Sequence, residues 1–226
     1  NLFSDVKAEF SIFDAAFLEE ISKMKEKNIA IELLKKLLAE RVTIYQKTNL
    51  VQAEKFSDLL NRALSNYLKG LLTNEEVIQE LLKLAAEISE SENQGNELGL
   101  TAEEKSFYDA LTKPRAVQDI YTNEQLVAMT KELTDALRKN RTIDWQKKES
   151  ARAGMRRMIK RLLKKYKYPP EEAENALETV IHQCEQWSDN DSDEYSINES
   201  TQKYNFQQSY YSIAADEIHE GYNKKL

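Results

Sequence analysis

Apolar residues recur every three or four positions along most of the chain, which is the spacing that the buried face of an α-helix produces. The repeat runs through Phe10–Leu68 and resumes after a short break. In that break, Gly70 predicts a helix end, and Thr73 with Glu76 forms a capping-box pattern that predicts a new start. No stretch alternates apolar and polar residues long enough to build a sheet. The sequence therefore predicts an all-α fold, a bundle-like multi-helix fragment with a polar C-terminal tail.

The middle of the chain contains the clearest predicted interruption. Residues 89–99, SESENQGNELG, are polar with two glycines, and we interpret them as an interior loop or boundary. The next helix is predicted to begin at Thr101 and to end at the Lys113-Pro114 step. Another start is predicted at Thr122.

The last third combines a basic helix with an acidic one. A helix is predicted over residues 145–167, and Pro169-Pro170 then opens an acidic helix that reaches about residue 188. Residues 188–209 are rich in Ser, Asn, Asp and Gln, which is typical of loop or weakly ordered chain. A short closing helix is predicted over Tyr210–His219. These elements predict a helical support domain at residues 1–92, a C-terminal helical domain at 100–188 and an acidic tail, rich in Tyr, Asn and Ser, at 189–226.

The net charge of minus 7 is distributed unevenly along the chain. Residues 1–137 hold 16 basic and 24 acidic groups, residues 138–167 hold 13 and 2, and residues 168–226 hold 3 and 13. A uniformly basic nucleic-acid coat is thus excluded, but one short segment carries a concentrated positive field.

A helical projection of the basic segment separates its apolar and cationic residues. Met155 lies at the centre of an apolar, core-facing side of the helix, which also includes Ala151, Met158, Ile159, Leu162, Leu163 and Tyr166. Arg157, Lys160, Arg161 and Lys164 lie on the opposite face, while Arg152 and Arg156 lie at the flank.

Such a cationic face suits sequence-independent contact with the phosphates of double-stranded DNA. The candidate DNA-binding residues are Lys147, Lys148, Arg152, Arg156, Arg157, Lys160, Arg161 and Lys164. Two alternatives stay open from the sequence: a merely solvated face, and a face neutralised by acids of the following helix, such as Glu171, Glu172, Glu174 and Glu178. Trp145 and Trp187 are assigned to packing rather than to base stacking.

Catalytic and metal-binding motifs are not evident. The five glycines never take phosphate-loop spacing, and His182 and His219 do not form a zinc motif, so we predict no catalytic residue, metal ligand or cofactor in this chain. Cys184 is predicted to be a small buried hydrophobe. Glu103 and Lys105 share the Glu-x-Lys spacing of a nuclease motif, but they lie in a predicted first helical turn rather than on a strand.

The lone cysteine and the lack of a signal peptide or long apolar run predict a cytoplasmic protein without membrane association. The sequence begins at Asn1 inside an amphipathic pattern, so we expect a fragment of a longer chain.

Four stretches carry a resemblance to a known family. These are FSDLLNRALSNYLKG, EVIQELLKLAAEI, ELGLTAEEKSFYDAL and LRKNRTIDWQKKESARAGMRRMIKRLLKKYKYPP, spread over residues 56–170. They resemble the C-terminal region of the R subunit, the motor and endonuclease subunit, of type I restriction enzymes. The combination of IDW, a basic helix and KYKYPP is more specific than any single piece.

The resemblance implies a parent polypeptide with an N-terminal nuclease domain and a two-lobed, helicase-like motor that uses ATP and Mg. It also implies that this region docks the R subunit onto the modification and specificity subunits of the methyltransferase core, near DNA. The main hypothesis is thus an assembly module with nonspecific DNA contact. A structural brace that transmits motor motion without binding DNA is an alternative, as is a hydrolase that uses Glu103 and Lys105.

Overall fold

The computed structural model describes residue 13 and residues 15–141 and 145–193, with side chains described as far as Trp187. Within these ranges the chain forms nine α-helices and one 3-10 helix and contains no strand, which confirms the all-α prediction. The helices are α1 Ala15–Lys23, α2 Lys27–Thr48, α3 Leu50–Leu68, α4 Asn74–Glu97, α5 Ala102–Thr112, α6 Arg115–Ile120, α7 Asn123–Asn140, the 3-10 helix Trp145–Lys147, α8 Glu149–Lys165 and α9 Pro170–Asp193.

The chain divides into two compact units, Asn1–Trp187 and Ser188–Leu226. The further division of the first unit at residues 92–100 stays a prediction. The tail was predicted to leave helical structure after Ser188, but α9 continues to Asp193. The rest of that tail, including the predicted helix Tyr210–His219, lies outside the described residues.

Helices α2, α3 and α4 pack as an up-down-up bundle around an apolar core. Tyr45 of α2 contacts Phe56 of α3, with ring centroids 5.6 Å apart. The side chains of Leu34, Leu38, Phe56, Leu81 and Ile88 are fully buried there. The three capping boxes predicted at Thr73, Thr101 and Thr122 are all present. The recurrence of apolar residues every three or four positions thus correctly predicted helices in this part of the chain.

The interior loop predicted at residues 89–99 is wrong, because α4 continues through this segment to Glu97. Gly95 is buried against the aliphatic stem of Lys105, where an added Cβ would lie 3.5 Å from Lys105 Cγ. Ile88 and Gly95 are buried on one face of the helix, and Glu92 between them accepts a hydrogen bond from the Tyr45 hydroxyl of α2. The chain turns only at Gly99, whose φ is +62°.

Helices α5, α7, α8 and α9 enclose a second apolar cluster. Trp145 and Cys184 are buried in it, and Trp187 packs against its edge while its indole N–H donates to Ser106 Oγ at 2.9 Å. The packing assignments made for these three residues are confirmed. Helix α6 was not predicted; it follows the Lys113-Pro114 step that ends α5 as expected.

A buried polar network joins the α2–α3 corner to α5. Asp109 accepts hydrogen bonds from Asn49 Nδ2 at 2.7 Å and from Gln52 Nε2 at 2.9 Å, and it pairs with Lys105. Gln183 of α9 also reaches this corner, because its amide accepts from the Leu50 N–H and donates to the Thr48 carbonyl. Helix α5 and the acidic helix α9 are thus tied to the first bundle by directional bonds.

Among the described residues, no helix combines the length and the apolar character that crossing a membrane would require.

Candidate nucleic-acid interface

The basic helix begins later than the sequence pattern predicts. A 3-10 helix, Trp145–Lys147, precedes α8, which starts at Glu149 rather than at Trp145. Burial of the Trp145 indole fixes this entry, and the Lys148 N–H bonds back to the Trp145 carbonyl at 3.2 Å. The helix ends at Lys165, and α9 begins five residues later at Pro170.

The apolar face of α8 lies where the projection placed it. Met155, Ile159, Leu162 and Leu163 are buried, and Ala151, Met158 and Tyr166 are partly buried against the same core. Because this apolar face points inwards, the cations on the opposite side of the helix are directed to solvent.

Three of the eight predicted DNA-binding residues are paired with the acidic helix. Arg152 Nη2 lies 2.8 Å from Glu185 Oε1, although the two groups are not aligned as a hydrogen bond. Arg156 Nη2 donates to Glu178 Oε2 at 2.8 Å. Lys160 Nζ lies 3.0 Å from Glu174 Oε2. The ladder, as we name these three pairs, neutralises one side of α8.

The ladder also shifts the pKa values of its central pair. The hydrogen bond from Arg156 lowers the pKa of the Glu178 carboxyl, and the same bond raises the pKa of the guanidinium. Both groups are therefore charged throughout the neutral range. Of the four acids named from sequence, Glu174 and Glu178 do fold back on the basic helix.

The remaining candidates lie outside the ladder. Arg157, Arg161 and Lys164 are exposed and, within the described part of the chain, form no ion pair. They stand at positions i, i+4 and i+7, so they share one face of α8. These three residues are called the stripe. Lys147 and Lys148 are exposed just before α8, away from the stripe along the chain.

Two cations near the end of α8 differ in their surroundings. Lys165 Nζ lies 2.6 Å from Glu132 Oε1 of α7, which also accepts from the Tyr166 hydroxyl through its second oxygen at 2.8 Å. These bonds lower the pKa of Glu132. Lys167 is exposed and has a positive φ of 57°. Lys167 is not among the residues predicted from the sequence to bind DNA, although its position just before YPP marks a helix end.

Glu103 and Lys105 are not brought together by the fold. Glu103 accepts from Arg138 Nε at 2.8 Å, whereas Lys105 is buried and paired with Asp109. Both side chains are used in structural ion pairs. No cluster of three or more His, Cys, Asp or Glu side chains suited to a metal ion occurs in the ranges that the structure describes.

Comparison with known proteins decides the family. Residues 1–190 match the family described as type I restriction enzyme HindI endonuclease subunit-like, C-terminal. The chain belongs to this family. The match includes all nine helices within the described ranges except the last three residues of α9. It confirms the resemblance drawn from the four sequence stretches.

Two relatives of this HindI-like C-terminal family support the assignment. The type I restriction enzyme HindI endonuclease subunit of Haemophilus influenzae is 36% identical over 186 residues, 82% of this chain and 18% of that protein. The provisionally named MjaIXP endonuclease subunit of Methanocaldococcus jannaschii is 31% identical over 160 residues, 70% of this chain and 15% of that protein. The chain thus spans less than a fifth of either relative. No solved structure matches it significantly.

Proposed function

We propose that this chain is the C-terminal helical module of a type I restriction R subunit, which assembles with the methyltransferase core and adds nonspecific contact to double-stranded DNA. The stripe carries the DNA part of the proposal. Arg157, Arg161 and Lys164 are exposed on one helix face, whereas the neighbouring cations are held by acids of α9. The partners in assembly would be the modification and specificity subunits, in the cytoplasm.

The dimensions of the stripe suit a phosphate backbone. Arg157 and Lys164 are seven positions apart in α8, which is about 10 Å along the helix axis. Duplex DNA carries one negative charge per roughly 1.7 Å of axis, so this length faces several phosphates. Arginine can bond a phosphate with two N–H groups, and lysine adds a compact charge. These contacts position a duplex without reading its sequence.

The ATP and Mg that the family resemblance implies belong to the parent polypeptide. The described residues provide no cluster of ligands for a metal, and the sequence has no phosphate-binding loop. The residues present therefore do not fit these groups, and the proposed function includes no step that uses them within this chain.

A second candidate function is a brace that transmits motor motion without binding DNA. The network around Asp109 favours it, because buried bonds from Asn49 and Gln52 hold the α2–α3 corner against α5. Such bonds would let α1–α4 and α5–α9 move as one body. In this reading the stripe would be a docking face for protein.

The decisive experiment is binding of the 226-residue chain to a 24-base-pair duplex of arbitrary sequence across a salt series. Three engaged cations give a slope of roughly minus 2.7 in log affinity against log salt. The variant R157E/R161E/K164E is expected to abolish this binding. The control K36E/K69E/K83E changes the net charge equally at exposed lysines outside α8 and is expected to retain most of the slope.

Equal loss in both triple variants, or no binding of the unaltered chain at low salt, would contradict the DNA proposal. ATP-driven translocation by the assembled complex then tests the brace. If the stripe variant binds DNA normally but stops translocation, the brace is favoured. Loss of assembly with the modification and specificity subunits would instead identify the stripe as the docking face.

A further inference from the structure

Three of the helices that the structure describes end in the same backbone motif. In α3, α4 and α8 the residue after the cap has a positive φ, and the next N–H bonds to a carbonyl five residues earlier. This is the Schellman ending, in which the left-handed position is usually glycine. Gly70 and Gly99 occupy that position in α3 and α4, with φ values of 70° and 62°. Helix α8 has Lys167 there instead, with φ 57°.

Lysine is energetically unfavourable at this position. A left-handed conformation brings the Cβ of an L-residue close to the following carbonyl oxygen, a clash that glycine lacks. Lys167 is the sole non-glycine residue with positive φ among the described residues. Backbone outliers of this kind concentrate at functional sites.

The surrounding structure holds the turn in place without help from the Lys167 side chain. The next residue, Tyr168, is buried, and its hydroxyl donates to the Leu111 carbonyl at 2.6 Å. Its N–H bonds to the Leu163 carbonyl at 2.9 Å, and the Lys167 N–H bonds to the Lys164 carbonyl at 3.0 Å. Pro169 follows directly and disfavours further helix. The backbone is thus fixed by its neighbours, whereas the Lys167 side chain is exposed.

We infer that Lys167 is a further phosphate-contacting residue, which extends the stripe beyond the end of α8. It follows Lys164 by three residues, it is exposed, and no ion pair holds it within the described ranges. Lysine at this position provides a positive charge for a phosphate, but it leaves a backbone strain that glycine would relieve. This inference rests on the proposed DNA contact of the stripe.

A structural explanation makes a different prediction. A cation at a helix C-terminus interacts favourably with the last carbonyls and the helix dipole. If that interaction were the reason for Lys167, removing the side chain would lower the stability of the protein. If Lys167 instead contacts phosphate, its replacement by glycine removes the left-handed strain, and the protein becomes more stable.

The variant Lys167→Gly separates the two explanations, because stability and DNA binding are expected to change in opposite directions. The Tm of the 226-residue chain is expected to rise by about 2–4 °C, the shift that a moderate relief of strain produces in a protein of this size. Affinity for the 24-base-pair duplex is expected to fall roughly eightfold at 0.1 M salt, with the salt slope shallower by about 0.9, as loss of one phosphate contact requires.

Two controls define the result. Lys167→Arg keeps the cation and the strain, so its Tm and affinity should match those of the unaltered chain. Lys36→Gln removes one exposed charge from α2 and should leave the affinity within about twofold.

The outcomes are distinguishable from those of the proposed function. Unchanged affinity of K167G, or a fall in its Tm, overturns the inference about Lys167 while the stripe can still hold. No loss of binding in R157E/R161E/K164E overturns the proposed function itself. Weaker binding together with a higher Tm supports the inference.

Discussion

Arg156 and Glu178 form a two-pronged pair between α8 and α9, with Arg156 Nη2 2.8 Å from Glu178 Oε2. This pair is the middle rung of the ladder that includes Arg152 with Glu185 and Lys160 with Glu174. Because the acidic helix pairs with the cations on this side of α8, the described cations of α8 without an ion pair lie on the other side. The pair therefore separates the side of α8 that contacts α9 from the side that carries the stripe.

The first prediction is that neutralising two rungs of the ladder strengthens DNA binding. Glu174→Gln with Glu178→Gln would release Lys160 and Arg156 to act as additional phosphate contacts. The salt slope of duplex binding should steepen by about 1.8. The stability cost should be small, about 1 kcal/mol or less per pair, because the pairs are well exposed.

The matched control for this change is Glu171→Gln with Glu172→Gln. These residues also lie on α9, but neither forms an ion pair with α8 among the described residues. The control removes the same charge without releasing a cation. Equal gains in affinity from the two double variants would mean that only net charge matters, contrary to the ladder interpretation.

The second prediction concerns acid stability. The pKa of Glu178 is lowered by its hydrogen bond from Arg156, and that of Glu132 is lowered by bonds from Lys165 and Tyr166. A carboxyl whose folded pKa lies below the unfolded value of 4.5 contributes stability above that value and loses it as the pH falls through the folded pKa. The free energy of unfolding should therefore decline below about pH 4.5.

Urea titrations at pH 7 and at pH 3 measure this contribution. The variant Glu132→Gln with Glu178→Gln should be less stable than the unaltered chain at pH 7, by about 1 kcal/mol after allowance for solvent screening. At pH 3 the difference should shrink. A difference that is the same at both pH values would show that titration of these carboxyls does not contribute.

The third prediction tests the buried network. Asp109→Ala leaves the Lys105 ammonium buried without its partner, and it removes the acceptor for Asn49 and Gln52. Breaking a buried pair on one side costs about 3–5 kcal/mol. Urea unfolding should show a loss of that size.

Removal of both charges supplies the comparison for that network. Lys105→Met with Asp109→Asn should be more stable than Asp109→Ala, because no unpaired charge stays in the interior. If the double variant is as unstable as Asp109→Ala, the loss arises from packing and not from the stranded ammonium.

The fourth prediction concerns Tyr168, which anchors the turn after α8. Its hydroxyl donates to the buried Leu111 carbonyl at 2.6 Å, and burial raises its pKa. Tyr168→Phe should lower the free energy of unfolding by about 1–2 kcal/mol, since the carbonyl loses its partner. Tyr121→Phe is the control, because its bond to the Tyr166 carbonyl is partly exposed and should matter less. Equal losses in the free energy of unfolding for the two variants would contradict the prediction that the buried bond of Tyr168 contributes more.

The sequence by itself determined the all-α class, the starts of α4, α5 and α7 and the inner face of α8. These properties follow from local rules: apolar spacing gives the buried face, and a threonine three residues before Glu or Gln caps a helix start. The boxes at Thr73, Thr101 and Thr122 and the burial of Met155 agree with those rules. The quoted stretches were also sufficient for the family.

Only the tertiary structure decided which cations are paired and which face solvent. Arg156 and Glu178 are 22 residues apart, and Asn49 and Asp109 are 60 apart, so no local pattern relates either pair. The continuation of α4 through residues 89–97 also depended on packing, because Gly95 gains contact with Lys105 that its helix propensity does not reveal. Side-chain pairing depends on how helices meet, and that arrangement is a property of the whole core.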